Sequence, residues 1–356
     1  MRPCWGRTLL PDPMAKAIVT TPPAPPQASP ARTTLLLGGT LLALAAAVLL
    51  SLTVGSKPTT VAQVWAAVTG TADPYTTTVV ASRYPRTILG ILAGAALAAA
   101  GLLLQGITRN PLADPGLLGV NAGAMAAVVT AIALLGPTST TATVWWALPG
   151  ALLAGLVAYL LGGRESTGST VRLVLAGAVI SAVLTAYVQA VALSMPHVFD
   201  NYRYWVVGSL AGRGFDVIAS VLPFLTAGAL LALLLSSSLN TLALGEETAT
   251  ALGANPFLIR SGGLAAATLL AAGATAATGP IAFVGLAVPH VVRALIGGDF
   301  RTCMPLALLA GPTLLLLADV VGRFLLRPAE LMVGVVTAFV GAPFLFHAVR
   351  RMRGPS

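Results

Sequence analysis

The chain has 356 residues, of which 56% are hydrophobic and only 9% charged, with a formal net charge of +9. So few charges cannot solvate the surface of a water-soluble domain, which excludes a soluble enzyme and indicates an integral membrane protein. The positive balance fits membrane topology and contact with anionic lipid, whereas nucleic acid binding calls for a solvated basic face, so no nucleic acid partner is expected.

Residues 1–32 are rich in proline and lack an apolar core, so they read as a disordered cytoplasmic tail, with Met14 a second candidate start. The first apolar run, 35–52, lies too far from the N-terminus for a signal peptide and is followed by further spans, so it reads as the first transmembrane helix. Stretches free of Asp, Glu, Lys and Arg then recur at 33–56, 87–108, 115–163, 173–199, 217–245, 261–292, 302–318 and 331–349. A span needs about 20 apolar residues. Two stretches hold two crossings each, broken at Gly136-Pro137-Thr138-Ser139-Thr140 and at Gly279-Pro280. The expected fold is therefore an all-α integral membrane protein of about ten transmembrane helices. Its domains are the 1–32 tail, a membrane domain over 33–350 and a short cytoplasmic tail over 351–356.

An even number of spans puts both termini on one side. With the N-terminus inside, Arg109, Arg164, Arg172, Arg260, Arg293, Arg301 and the basic residues of both tails collect on the cytoplasmic face, as Lys and Arg prefer. The expected location is the cell membrane. Helices built from Ala, Gly and Leu, as at 92–101, allow close backbone approach and a tightly packed bundle. The longest polar segments are 57–86, 195–216 and 236–256, too short for a second domain. No short-period repeat is present.

No phosphate-binding GxxxxGK[ST] loop occurs, and the only lysines are Lys16 and Lys57, so any drive from ATP must come from another subunit. Cys4 and Cys303 lie far apart with no metal-ligand spacing, so neither a disulfide nor a metal site is expected. His290 and His347 lack a second ligand at helical spacing and read as structural. Gln105 and Gln189, polar residues inside spans, read as hydrogen-bonding glue between helices, with a channel-facing role as the other option.

Five motifs occur in order: RYPR at 83–86, RNPLADPGLLGVNAG at 109–123, LNTLALGEETATALG at 239–253, GPIAFVGLAVPH at 279–290, and ADVVGR at 318–323 followed by GAP at 341–343. This set resembles the permease subunits of type II ATP-binding-cassette importers, the iron-chelate and cobalamin (FecCD-type) family, and its wording is most similar to permeases for ferric siderophores of the enterobactin type. The resemblance covers roughly residues 35–350. One departure is Met332, which stands where many members have proline and blurs the start of the last helix.

The resemblance implies roles for particular residues. Leu244, Gly245, Glu246, Glu247, Ala249, Leu252 and Gly253 would form the coupling helix that docks on an ATPase subunit, with Leu244, Ala249 and Leu252 as an apolar face and the two glutamates at the rim. The other reading is a surface helix with solvated acids. Arg83, Arg86 and Arg323, on the outer side against the usual bias, would receive acidic residues of a substrate-binding protein. The alternatives are snorkelling at helix ends and, for Arg323, an i,i+4 pair with Asp319. Asn110, Pro111 and Leu112, with Thr170 and Val171, would form the cytoplasmic gate, although Asn110 and Pro111 also suit a simple turn. The helix from Arg172 to Leu193 would line the path.

The expected function is thus translocation of a ferric siderophore by alternating access, with cobalamin or haem as alternatives. The chain itself would bind no cofactor, ATP and magnesium belonging to two partner ATPase subunits. A second permease, a paralogue or a second copy, and an external binding protein complete the expected assembly. An intramembrane enzyme would need paired catalytic groups at membrane depth, which the charge-free spans lack. An ion-coupled secondary transporter would need acids near the midplane, for which Asp319 is the sole candidate.

Overall fold

The computed structural model describes residues 29–55, 57–162, 169–326 and 329–352. Helices α1 (Pro30–Thr53), α2 (Val61–Val68) and α3 (Pro74–Thr108) open the chain. A 3-10 turn, Pro115–Leu118, leads to α4 (Val120–Leu135), α5 (Thr140–Gly162), α6 (Ser169–Ser194) and α7 (Pro196–Val206). The chain continues through α8 (Phe215–Ala243), α9 (Glu246–Ala251), α10 (Pro256–Thr278), α11 (Val284–Ile296), α12 (Phe300–Leu325) and α13 (Val333–Met352). Among the described residues there is no strand.

Seven of these helices, α1, α3, α5, α6, α8, α10 and α12, are long and apolar enough to cross a membrane, and α4, α11 and α13 contribute shorter apolar helices. Together they occupy the ten expected crossings. The breaks fall where expected: α4 stops before Gly136, whose φ of 78° suits a residue without a Cβ, and α10 stops before Gly279 at φ 76°. The tail reading of 1–28 and the 353–356 end lie outside the described residues; α1 itself begins at Pro30, inside the Pro-rich segment, with Ser29 as N-cap.

Two polar segments hold helices that hydropathy alone passes over. Within 57–86 the capping box of Thr60 and Gln63 starts α2, and Asp73 caps α3 through Thr76 N. As a result α3 begins well before the apolar stretch at 87 and runs 35 residues, carrying Pro85 inside it. Within 195–216, Pro196 at the first turn starts α7.

The bundle is centred on α3, which packs on α10, α11 and α12. Its contacts are made through small residues. A Cβ added at Gly101 would fall 1.8 Å from Gly285 O on α11, and one at Gly94 would fall 2.7 Å from Gly311 O on α12. Such backbone-to-backbone contact supplies the dispersion that holds helices together where lipid provides no hydrophobic drive. Gln105, fully buried, donates through Nε2 to Leu286 O at 3.2 Å and so ties α3 to α11, as the glue reading expects. Gln189, in contrast, is exposed on α6.

Candidate functional site

Three places predicted to carry function lie at the ends of the bundle, one at one end and two neighbouring ones at the other. The first is the end where α1, α3 and α12 meet. The last carbonyls of α1 have no partner within their own helix and must find donors elsewhere. Arg83 supplies them from α3: its Nη1 donates to Leu52 O at 2.6 Å and to Thr59 Oγ1 at 2.7 Å, and its Nη2 to Lys57 O at 2.5 Å. From α12, Arg323 donates through Nη1 to Ser51 O at 2.8 Å and Val54 O at 2.7 Å, and through Nη2 to Ser51 Oγ at 2.9 Å.

Asp319 supplies the countercharge. It accepts from Arg323 Nη2 at 2.9 Å and Arg86 Nη2 at 2.8 Å, and Arg86 also reaches Glu330 at 2.7 Å. Arg323 is 1% exposed, Arg83 7%, and Asp319 is fully buried. The i,i+4 pairing of Arg323 with Asp319 therefore forms. The three arginines do not stand out as free surface cations, contrary to what a docking role leads one to expect, because each guanidinium is engaged by helix-end carbonyls or carboxylates. Asp319 likewise has no free carboxylate with which to bind a coupling ion.

The second place is the α8–α9–α10 elbow at the opposite end of the bundle. Gly245 adopts φ 115°, a backbone closed to side chains, and turns the chain from α8 into the one-and-a-half turns of α9. Ala249 is buried, while Leu244 and Leu252 are 64% and 65% exposed. The expected three-residue apolar face is thus divided: Ala249 seats α9 on the bundle, and the two leucines point away with Glu247, which is exposed. Glu246 is instead engaged by Arg260 of α10 in an ion pair. Gly253, at φ 81°, ends the elbow before Asn255 caps α10.

Braces not foreseen from sequence hold this elbow. Arg109, the αL C-cap of α3, donates through Nη2 to Leu242 O at 2.7 Å. Asn240 donates to Asp299 Oδ1 at 2.6 Å and accepts from Phe300 N at 2.8 Å, which joins α8 to the start of α12. The available signal was the Asn and Asp capping chemistry at helix ends, but nothing in sequence pairs positions 59 residues apart.

The third place is the expected gate. Asn110 accepts from Leu112 N at 2.9 Å, an Asx turn that Pro111 reinforces, so these three residues form a compact corner after α3. Asp114 repeats the device on Gly116 N at 2.8 Å, and burial pushes its carboxyl above the usual range while that amide opposes the shift. Val171 lies 74% exposed on the first turn of α6, and the side chain of Thr170 falls outside the described residues. The corner and α6 are joined farther on, where a Cβ at Gly177 would fall 1.9 Å from Leu117 O. Beyond that contact Val179, Val183 and Leu193 leave α6 with an uncovered apolar face in the single chain.

No group of three metal-ligating side chains occurs among the described residues. Among the described residues, an all-helical bundle with seven helices of membrane-spanning length, a braced elbow at one end and a buried ionic cluster at the other is the architecture of a multi-pass membrane protein. Residues 42–351 match the model of the FecCD transport family, and the chain belongs to that family. It is 48% identical over 308 residues to the ferric enterobactin transport system permease protein FepD of Escherichia coli (strain K12), covering 86% of this chain and 92% of that one. It is 40% identical over 271 residues to the Fe(3+)-citrate import system permease protein YfmD of Bacillus subtilis (strain 168), covering 76% and 80%. In structure it is similar to a metal-chelate type ABC transporter in an inward-facing conformation, with TM-score 0.76, 28% identity, and 89% and 99% coverage.

Proposed function

We propose that this chain is the membrane-spanning subunit of an ATP-driven importer that carries a ferric siderophore into the cytoplasm by alternating access. The observation that carries the reading is the elbow of Leu244 to Gly253: an exposed pair of leucines beside Glu247, mounted on a helix that Ala249, Arg109 and the Asn240–Asp299 bridge fix to the bundle. Such a surface transmits a push from a partner instead of absorbing it, because packed helices move as bistable bodies. The partner is a pair of ATPase subunits that hold ATP and magnesium. The cargo is inferred from the likeness to the ferric enterobactin permease over nearly its whole length.

A second permease, a paralogue or another copy, would cover the open apolar face of α6 and complete the path. Both termini would lie in the cytoplasm with the elbow, and an external binding protein would dock at the opposite end. Arg83, Arg86 and Arg323 would shape that docking face from within, since direct capture of acidic side chains would first require their present bonds to open.

The test is uptake of iron-55 enterobactin, haem or cobalamin in a strain lacking the chain and complemented with it. Restored siderophore uptake that vanadate inhibits supports the reading. Uptake by the purified chain reconstituted without any ATPase would overturn it.

A further inference from the structure

The end of the bundle that carries the C-terminus of α12 also holds a cavity of about 320 Å³, open to one side, between the α4–α5 connection, α7 and the 207–214 loop. Thr138, Thr143, Asn201, Ser209, Trp205 and Arg213 are among its lining residues. Arg213 is the only charged one among the described residues that line it. Unlike Arg86 and Arg323, it meets no carboxylate among the described residues, and its Nε, like that of Arg323, is buried without a hydrogen-bond partner. Beside it Trp205, 6% exposed, also buries an indole N–H that donates to nothing.

A partly buried cation without a counter-ion is costly, and its neighbours here supply hydroxyls and an amide but no acid. Burial lowers the Arg213 pKa, with no nearby charge acting to restore it. The wall nevertheless keeps its own order: Thr138 and Thr143 share a hydrogen bond at 3.0 Å, Ser209 Oγ accepts from Ala211 N at 3.1 Å, and Asn201 donates to His197 O at 2.8 Å. The cavity is therefore built, polar on one side, and short of one negative charge.

We infer that this cavity binds an oxyanion, a carboxylate or phosphate group, with Arg213 as its counter-ion. Guanidinium suits such groups because its planar donors match two oxygens at once. The group belongs either to a small free anion or to a lipid headgroup. The inference does not depend on the identity of the transported cargo.

The test uses the full chain in nanodiscs of phosphatidylcholine, with thermal unfolding followed while sodium phosphate or sodium acetate replaces sodium chloride at constant ionic strength. Wild type should show a saturable rise in midpoint, and Arg213→Gln should weaken the apparent affinity by about tenfold or more, the usual effect of losing a charge-assisted bond. Arg203→Gln, an exposed neighbour paired with Asp200, should leave it unchanged. Discs containing phosphatidylglycerol separate the sources: a headgroup occupant raises the midpoint without added phosphate, in an Arg213-dependent way, and blunts the phosphate response. If Arg213→Gln does not fold, Arg213→Lys should bind more weakly than wild type yet remain saturable. The inference is overturned if wild type responds saturably to neither phosphate, acetate nor anionic lipid, or if Arg213→Lys and Arg213→Gln respond as wild type does.

Discussion

Asp319, itself fully buried, balances the buried Arg323 and the largely buried Arg86, so its replacement exposes the cost of burying them. Asp319→Asn should destabilise the chain by about 3–5 kcal/mol, the usual result of stripping one partner from a buried pair; thermal unfolding in detergent measures it. The same logic decides how charge reversal at Arg83 will act. Arg83→Glu would place a carboxylate against the Leu52 and Lys57 carbonyls, so the expected outcome is loss of folded protein, read by size-exclusion yield, before any effect on docking. A well-folded Arg83→Glu protein with slowed uptake would instead favour a surface role. Sequence singles these arginines out by the outer side that the expected topology gives them, but does not show that the end of α1 is what they serve. That end is contributed by a segment 30 residues or more away from Arg83 and about nine times farther from Arg323, and such pairing leaves no local trace.

Helices were legible in proportion to their apolar length. The ten crossings followed from charge-free runs and two Gly-Pro breaks, because hydrocarbon tolerates backbone only when its hydrogen bonds are internally satisfied. Helices α2 and α7 and the first turns of α3 were missed since they lie in polar segments, where caps at Thr60 and Asp73 matter more than hydropathy. At the elbow, the short helix was legible but its orientation was not: Ala249 was grouped with Leu244 and Leu252, yet it alone faces inward. Gly245→Val should cost about 1–3 kcal/mol of local strain from an extended positive-φ backbone that is essentially glycine-only and tilt α9. With the proposed ATPase partner, the expected readout is retained ATP hydrolysis with uptake reduced at least tenfold. Asn240→Ala should act in the same direction through the loosened α8–α12 bridge, and full uptake by both variants would exclude a coupling role for the elbow.

Across the whole molecule, close packing of small residues sets the limits of change. Gly101→Leu would drive a side chain into the backbone at Gly285, and the expected outcome is a protein that does not accumulate in the membrane, checked by immunoblot against Gly38→Leu, where an added Cβ meets nothing. The two ends of the bundle differ in kind: one is stitched by buried charges, the other by helix caps around an exposed elbow. The stitched end has a consequence for how the protein is made. Helix α1 is made before the rest of the described bundle, yet Arg323, which donates to Ser51 O, is synthesised 272 residues after Ser51. Throughout most of translation the nascent chain carries an unfinished edge at the membrane surface, and a product truncated before α12 should be degraded faster than the full chain by membrane proteases.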